Sequence, residues 1–135
     1  MGIKMRVLAD TNIFIKFNRK LPLSPAVETV LESEIAERCI SSVSIIELFW
    51  LWQAGRVPLN PDVWLDDALK SWTVLPITAP IARQSVLWDW PHRDPADRIL
   101  AATAKVEKIE LWHTDTILKK LTGFPQRHFK NKAAR

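Results

Sequence analysis

The sequence predicts an α/β fold with a central parallel sheet covered by helices on both faces. Short apolar runs of strand length alternate with longer stretches of helical periodicity, the pattern of such a sheet. The first and last of these runs, Met5–Ala9 (MRVLA) and Leu111–Thr114 (LWHT), each lead directly into an aspartate. Between them, His92–Ala104 (HRDPADRILAATA) joins an acidic helix start to an alanine-rich stretch that can pack closely on a sheet.

The elements follow in order. Met5–Ala9 reads as a buried strand ending in an Asp-Thr-Asn turn, and Asn12–Phe17 as a short helix. Ser24 is placed to cap a second helix that Pro25 opens, with Val27, Leu31 and Ile35 as its stripe. Cys39–Val43 is a second strand. Ser44–Ala54 follows as a helix closed by Gly55. That helix is apolar almost all round (Ile45, Ile46, Leu48, Phe49, Trp50, Leu51, Trp52), so it must be buried or covered by a partner. Asn60-Pro61 starts a helix with Trp64, Leu65, Ala68, Leu69 and Trp72 on one face. Val74–Ile77 is a short third strand whose Pro76 argues for a sheet edge or a strand end. Helices over Thr78–Trp88 and Pro95–Lys108, the strand Leu111–Thr114 and a short helix Asp115–Leu121 complete the series.

At 135 residues the chain fits one domain, 1–135, with a basic C-terminal tail from about residue 122. Its composition, 47% hydrophobic and 25% charged, is that of an ordinary globular protein. No apolar run is long enough to span a bilayer, and the N-terminus turns polar too soon for a signal peptide. Cys39, the single cysteine, excludes an internal disulfide, and a cytoplasmic location is expected. The net charge of +4 is unevenly placed. Lys119, Lys120, Arg127, Lys130, Lys132 and Arg135 follow Asp115, and no acid does. Such a tail either holds phosphate backbones or is a solvated, frayed terminus.

Four acids stand at or just beyond strand ends. Asp10 ends the first strand, Glu47 and Asp97 lie in first turns of helices, and Asp115 follows the last strand. Each alone has a structural use: Ser44-x-x-Glu47 is a capping box, Asp94-x-x-Asp97 resembles one, and Asp10 and Asp115 occupy turn positions. Jointly they mean more, because sites in open parallel sheets form beyond the carboxyl ends of the strands. Four converging carboxylates repel and hold their protons more tightly, a conflict that a divalent cation resolves. Oxygen donors select a hard ion, Mg²⁺ or Mn²⁺, which positions phosphates and activates water.

Taken in order, Val7–Asn12 (VLADTN), Ser44–Leu48 (SIIEL), His92–Ala104 and Thr114-Asp115 resemble the motifs of PIN-domain ribonucleases, and most of all the VapC toxins of bacterial toxin–antitoxin pairs. The resemblance spans Met5 to about Leu121. It implies a compact three-layer α/β/α sandwich and Mg²⁺-dependent endoribonuclease activity, with RNA as substrate and a VapB-like antitoxin as inhibitor. The family's acidic quartet falls on Asp10, Glu47, Asp97 and Asp115. Asp10, Asp97 and Asp115 would hold the ion, while Glu47 would complete the pocket and orient water. Asn12 and Thr114 match supporting polar positions, and Asp94 and Arg98 match a subgroup's Asp-Pro-x-Asp-Arg. Ala9 stands where the family often has leucine.

Other signals are weaker. His92-Arg93-Asp94 spells a kinase trigram without any glycine-rich phosphate loop. His92, His113 and His128 lack zinc-site spacing. Cys39 reads as core filling. Trp90 is placed to stack on an RNA base, or else to cover the cleft wall or a subunit contact with Trp88. Arg93 and Arg98 are placed to hold phosphates, or else to pair with Asp94 and Asp97. The rival readings are a non-catalytic RNA- or protein-binding module of the same fold, and a phosphoacceptor receiver domain. The latter wants adjacent early acids and a late lysine, which Asp10-Thr11-Asn12 and Thr114-Asp115 do not supply. The over-apolar Ser44–Ala54 helix suggests an antitoxin contact, and a homodimer is expected as the commonest symmetric assembly.

Overall fold

The computed structural model describes residues 4–130. Five strands form one parallel sheet in the order β3-β2-β1-β4-β5: β1 (Met5–Ala9), β2 (Ala36–Ser41), β3 (Thr73–Leu75), β4 (Glu110–His113) and β5 (Gln126–His128). Among the described residues six α-helices accompany them: α1 (Thr11–Asn18), α2 (Pro25–Glu32), α3 (Ser42–Gln53), α4 (Leu65–Leu69), α5 (Ala79–Leu87) and α6 (Pro95–Glu107).

Side chains alternate across a strand, so each strand serves two cores. Val7 and Ala9 of β1, Ile40 of β2 and Trp112 of β4 enter one cluster, with Ile13, Phe14, Val27, Leu31, Leu48 and Trp72. Leu8, Cys39 and Leu111 point into a second, with Leu100 and Ala104 of α6. Helices α1–α4 cover the first face; α6, with α5 packed on it, covers the second. This is the three-layer α/β/α sandwich. The alanines of α6 are fully buried at 101, 102 and 104, where small side chains let the helix approach the sheet. No helix among the described residues is long and apolar enough to cross a membrane.

Several boundaries differ from the sequence reading. β2 begins at Ala36, three residues early, because its charged residues find partners. Glu37 pairs with Arg6, and the Arg38 guanidinium lies over the rings of Phe17 and Trp72. Accordingly α3 starts at Ser42, capped by Ser41 Oγ accepting from Val43 N at 3.1 Å, and the expected Ser44–Glu47 capping box does not form. Ile35 lies beyond the end of α2 and is 66% exposed, so it leaves the Val27–Leu31 stripe. The helix expected after Asn60 breaks at Trp64, between a 3-10 turn (Pro61–Val63) and α4, and the Trp64 ring packs near Phe14. β3 is an edge strand that stops before Pro76. The final helix is only a 3-10 turn, Leu118–Lys120.

β5 was not anticipated. Residues after Leu121 return to the sheet edge, where Leu111, Trp112 and His113 pair with Gln126, Arg127 and His128. Phe129 packs on Trp112, and Arg127 bonds Glu110 at 3.3 Å. The segment to Lys130 is therefore folded rather than frayed. Lys132 and Arg135 lie outside the described residues.

Candidate active site

The chain runs from β1 outward to β2 and β3, then crosses back to place β4 on the other side of β1. Such a reversal opens a crevice at the carboxyl ends of the two central strands. Here it is a cleft of about 350 Å³ lined by Asp10, Thr11, Asn12, Glu47, Asp97, Thr114 and Asp115, with Ile15, Leu51 and Leu100 as its apolar wall. All four acids expected from the sequence are thus brought together, and so are Asn12 and Thr114.

Each carboxylate is fixed by its own element. Asp10 caps α1: Oδ1 accepts from Ile13 N at 2.7 Å, and Oδ2 accepts from Thr114 N at 3.3 Å. It therefore ties β1 to β4, and it is 8% exposed. Asp115 Oδ1 accepts from Ile117 N and Leu118 N at 2.7 and 2.9 Å, closing the turn after β4. Asp94 caps α6 by accepting from Asp97 N at 3.1 Å. The Asp97 carboxylate does not return that bond; Oδ2 takes one from His92 Nε2 at 2.7 Å. Glu47 Oε1 accepts a short bond from the Thr11 hydroxyl, which also lies 2.9 Å from Ser44 Oγ. A hydroxyl carries one proton, so with Glu47 ionised, Ser44 donates to Thr11 and Thr11 to Glu47. Asn12 Nδ2 donates to Thr114 Oγ1 at 3.0 Å.

Capping does not take these carboxylates out of the cleft: Asp10 and Asp115 hold their turns and also line it. The electrostatics show what capping leaves unresolved. Burial pushes the Asp10 carboxyl up to about 7, against two stabilising N–H bonds, and Glu47 and Asp97 add like charge. Burial also raises Glu47, opposed by the Thr11 bond and reinforced by Asp97 and Asp94. Asp97 is raised by burial, opposed by the His92 bond and reinforced by Asp94 and Asp115. Buried like charges without a cation cost free energy.

Among the described residues, no three Asp, Glu, His or Cys side chains close around one point as a finished metal group. The donor chemistry still fits a hard cation. It is carboxylate oxygen throughout; the hydrogen bonds above occupy one oxygen each of Glu47, Asp97 and Asp115 and both of Asp10, whose oxygens each keep a further lone pair.

The remaining expected residues part company. Arg98 is 5% exposed and donates from its guanidinium to four backbone carbonyls, of Ser85, Trp88, Trp90 and His92, at 2.8–3.0 Å. Its guanidinium is taken up by these carbonyls rather than by Asp94 or Asp97. Trp90 stacks on Trp88 at 4.2 Å and 8°, with Phe124 and the Arg98 guanidinium also against it. Its ring packs on these protein groups and remains half-buried. Arg93 is exposed. The residues missed from sequence are Thr11, Ser44 and His92. All three lay inside the quoted motifs, but only the fold shows that Thr11 and His92 each meet a carboxylate and that Ser44 meets Thr11.

The family signature of the PIN domain matches residues 7–123. Among solved structures, the chain is similar to VapBC2 from Rickettsia felis bound to a DNA fragment from its promoter, with TM-score 0.70 and 17% identity over 93% of this chain and 100% of that one. It is similar to the DNA-bound VapBC of Salmonella typhimurium, with TM-score 0.66 and 18% identity over 92% and 98%. It is also similar to FitAcB of Neisseria gonorrhoeae, with TM-score 0.59 and 21% identity over 82% and 88%. At these identities the likeness is one of fold. No curated protein matches the sequence.

Proposed function

Because the chain belongs to the PIN domain family, we propose that it is a Mg²⁺- or Mn²⁺-dependent endoribonuclease acting as the toxin of a toxin–antitoxin pair. The observation that carries this reading is the meeting of Asp10, Glu47, Asp97 and Asp115 in one cleft, with Asp10, Glu47 and Asp97 held under a charge conflict.

Asp10, Asp97 and Asp115 would hold the cation. When bound, it would offset their charge, orient a scissile phosphate and activate water. Glu47 is held at Oε1 by Thr11, which leaves Oε2 to orient the attacking water and take its proton. A carboxyl raised by burial is a better base near neutral pH than an exposed one. In-line attack at phosphorus breaks the bond to the 3′ oxygen, leaving a 3′-hydroxyl and a 5′-phosphate. Ile15, Leu51 and Leu100 limit competing water on the apolar side.

The toxin assignment adds a partner. The similar structures include VapBC2, VapBC and a toxin–antitoxin complex from Klebsiella pneumoniae, and α3 offers this chain a surface for such a partner: Ile46 is 44% and Trp50 63% exposed, one helical turn apart. Ile45, Phe49 and Leu51 of the same helix pack against the core, so the partner face is narrower than the sequence suggested. Pairing with a second copy and a cytoplasmic setting belong to the same reading.

The test is cleavage of a single-stranded RNA with Mg²⁺ or Mn²⁺, against EDTA. Wild type should cleave only with metal, and Asp10→Asn and Asp97→Asn should not cleave. Folded wild-type protein that binds RNA but never cuts it would support the non-catalytic module instead.

A further inference from the structure

Among the described residues, Asp97 is the only acid of the quartet whose side chain meets a histidine. We infer that His92 and Arg98 form a relay that positions the Asp97 carboxylate for its cation; this rests on the metal-dependent reading above.

The geometry has two steps. An ionised carboxylate only accepts, so the proton between His92 and Asp97 sits on His92 Nε2, and the ring donates to Asp97 Oδ2 at 2.7 Å. That bond fixes one oxygen and leaves the other for a ligand in the cleft that Asp97 lines. His92 precedes α6, however, in the irregular connection from α5, which has no strand ladder to hold it. Arg98 replaces the ladder. Its Nε donates to His92 O at 2.8 Å, Nη1 to Ser85 O and Trp88 O at 3.0 Å, and Nη2 to Trp90 O at 2.9 Å. One planar fork thus anchors the connection from the end of α5 to His92.

The anchoring is rigid for a physical reason. Guanidinium offers five donors in fixed directions, whereas an ammonium offers three on a flexible stem. The Trp88–Trp90 stack, closed by Phe124, packs the same connection from outside. Arg98 follows Asp97 in sequence, so α6 carries both the carboxylate and the group that aims its donor. Arg98 does not line the cleft and acts only through His92. Hydrogen-bond partners behind ligating carboxylates commonly contribute 10–100-fold to metal affinity.

The experiment is Mn²⁺ binding by calorimetry without RNA, with cleavage kinetics and circular dichroism in parallel. His92→Ala should weaken Mn²⁺ binding by roughly 10-fold or more and lower kcat with little change in KM. His92→Gln, which can return a donor near the Nε2 position, should recover most of both. Arg98→Lys should also lose Mn²⁺ affinity despite standing outside the cleft. Its melting temperature separates that loss from unfolding. Unchanged Mn²⁺ affinity in His92→Ala, with wild type binding normally, overturns the relay alone. A wild type that binds no Mn²⁺ and cleaves no RNA overturns the metal reading and the relay with it. Equal losses in His92→Ala and His92→Gln would show that ring packing, not the donated bond, is what matters, and would also overturn it.

Discussion

Asp10 is an aspartate that folding makes harder to ionise. Its carboxyl stands at about 7 in the fold against 3.8 for the free group. The folded, metal-free protein thus keeps a proton that the unfolded chain has already lost, and stability falls as pH rises between those values. The change amounts to up to about 4 kcal/mol, with Glu47 and Asp97 shifted in the same direction. In EDTA, the melting temperature should therefore drop from pH 5 to pH 8, and Mn²⁺ at pH 8 should restore it. A flat profile in EDTA would show that the carboxylates do not conflict. Substitution gives a second reading. Asp10→Asn relieves charge but leaves Thr114 N facing an amide donor or nothing. Glu47→Gln is cleaner, because Gln Oε1 still accepts from Thr11. It should raise the metal-free melting temperature by about 3 °C while cutting cleavage about 100-fold or more, read by calorimetric melts and a time course on one RNA. Asp10 and Asp115 were legible in the sequence from their places beside strand ends, and Asp97 from the helix start that Asp94 caps; Glu47, expected in a first turn, lies in the second turn of α3. Thr11, Ser44 and His92 were not legible. Each is defined by what it touches, and Ser44 lies 33 residues from the hydroxyl it meets.

At the scale of elements, periodicity located what was long and apolar and misplaced what was short or charged. α6 was readable end to end: Asp94 caps it, Pro95 opens it, and only one end residue differs. β2 was read late because Glu37 and Arg38 break the apolar run, although tertiary partners satisfy both. β5 was invisible, since three residues of Gln-Arg-His carry no strand signature and gain their place only from β4. Its approach turns on Gly123. There φ is +101°, and a Cβ would lie 2.7 Å from the Trp88 ring nitrogen. Few L side chains tolerate either condition, and Trp88 is held by Trp90 and Phe124 and cannot easily yield. Gly123→Ala should therefore destabilise the protein by about 1–3 kcal/mol and perturb the stacked tryptophans. Urea unfolding followed by tryptophan fluorescence measures both. An unaltered midpoint would mean that the turn and the aromatic cluster are independent.

Over the whole molecule, the acids of the cleft and the exposed cations occupy different ground. The cleft gathers acids and, without a cation, repels a phosphate backbone, so on the proposed function affinity for RNA must come from positive groups outside it. The folded β5 narrows the choice. Arg127 is committed to Glu110 and to the face of Trp112, and Arg98 to four carbonyls. Lys119 and Lys120 stand exposed on the turn that Asp115 closes, immediately beyond the cleft, and Lys130 is exposed after β5. Deleting everything after Leu121 would remove a strand as well as charges, so neutralisation is the sound test. Replacing Lys119, Lys120 and Lys130 with glutamine should weaken RNA binding for every sequence alike. Each phosphate neutralised on a single strand adds about 0.7 to the slope of log affinity against log salt, so the triple variant should flatten that slope by about 2. Cleavage position should not move, because groups that grip phosphate set register and hold no base information. Fluorescence anisotropy across a salt series in EDTA gives the slope, and product mapping with Mn²⁺ gives the position. Equal slopes for wild type and the triple variant would place the RNA elsewhere on the surface, with exposed Arg93, close to Asp97 in sequence, as the next cation to neutralise.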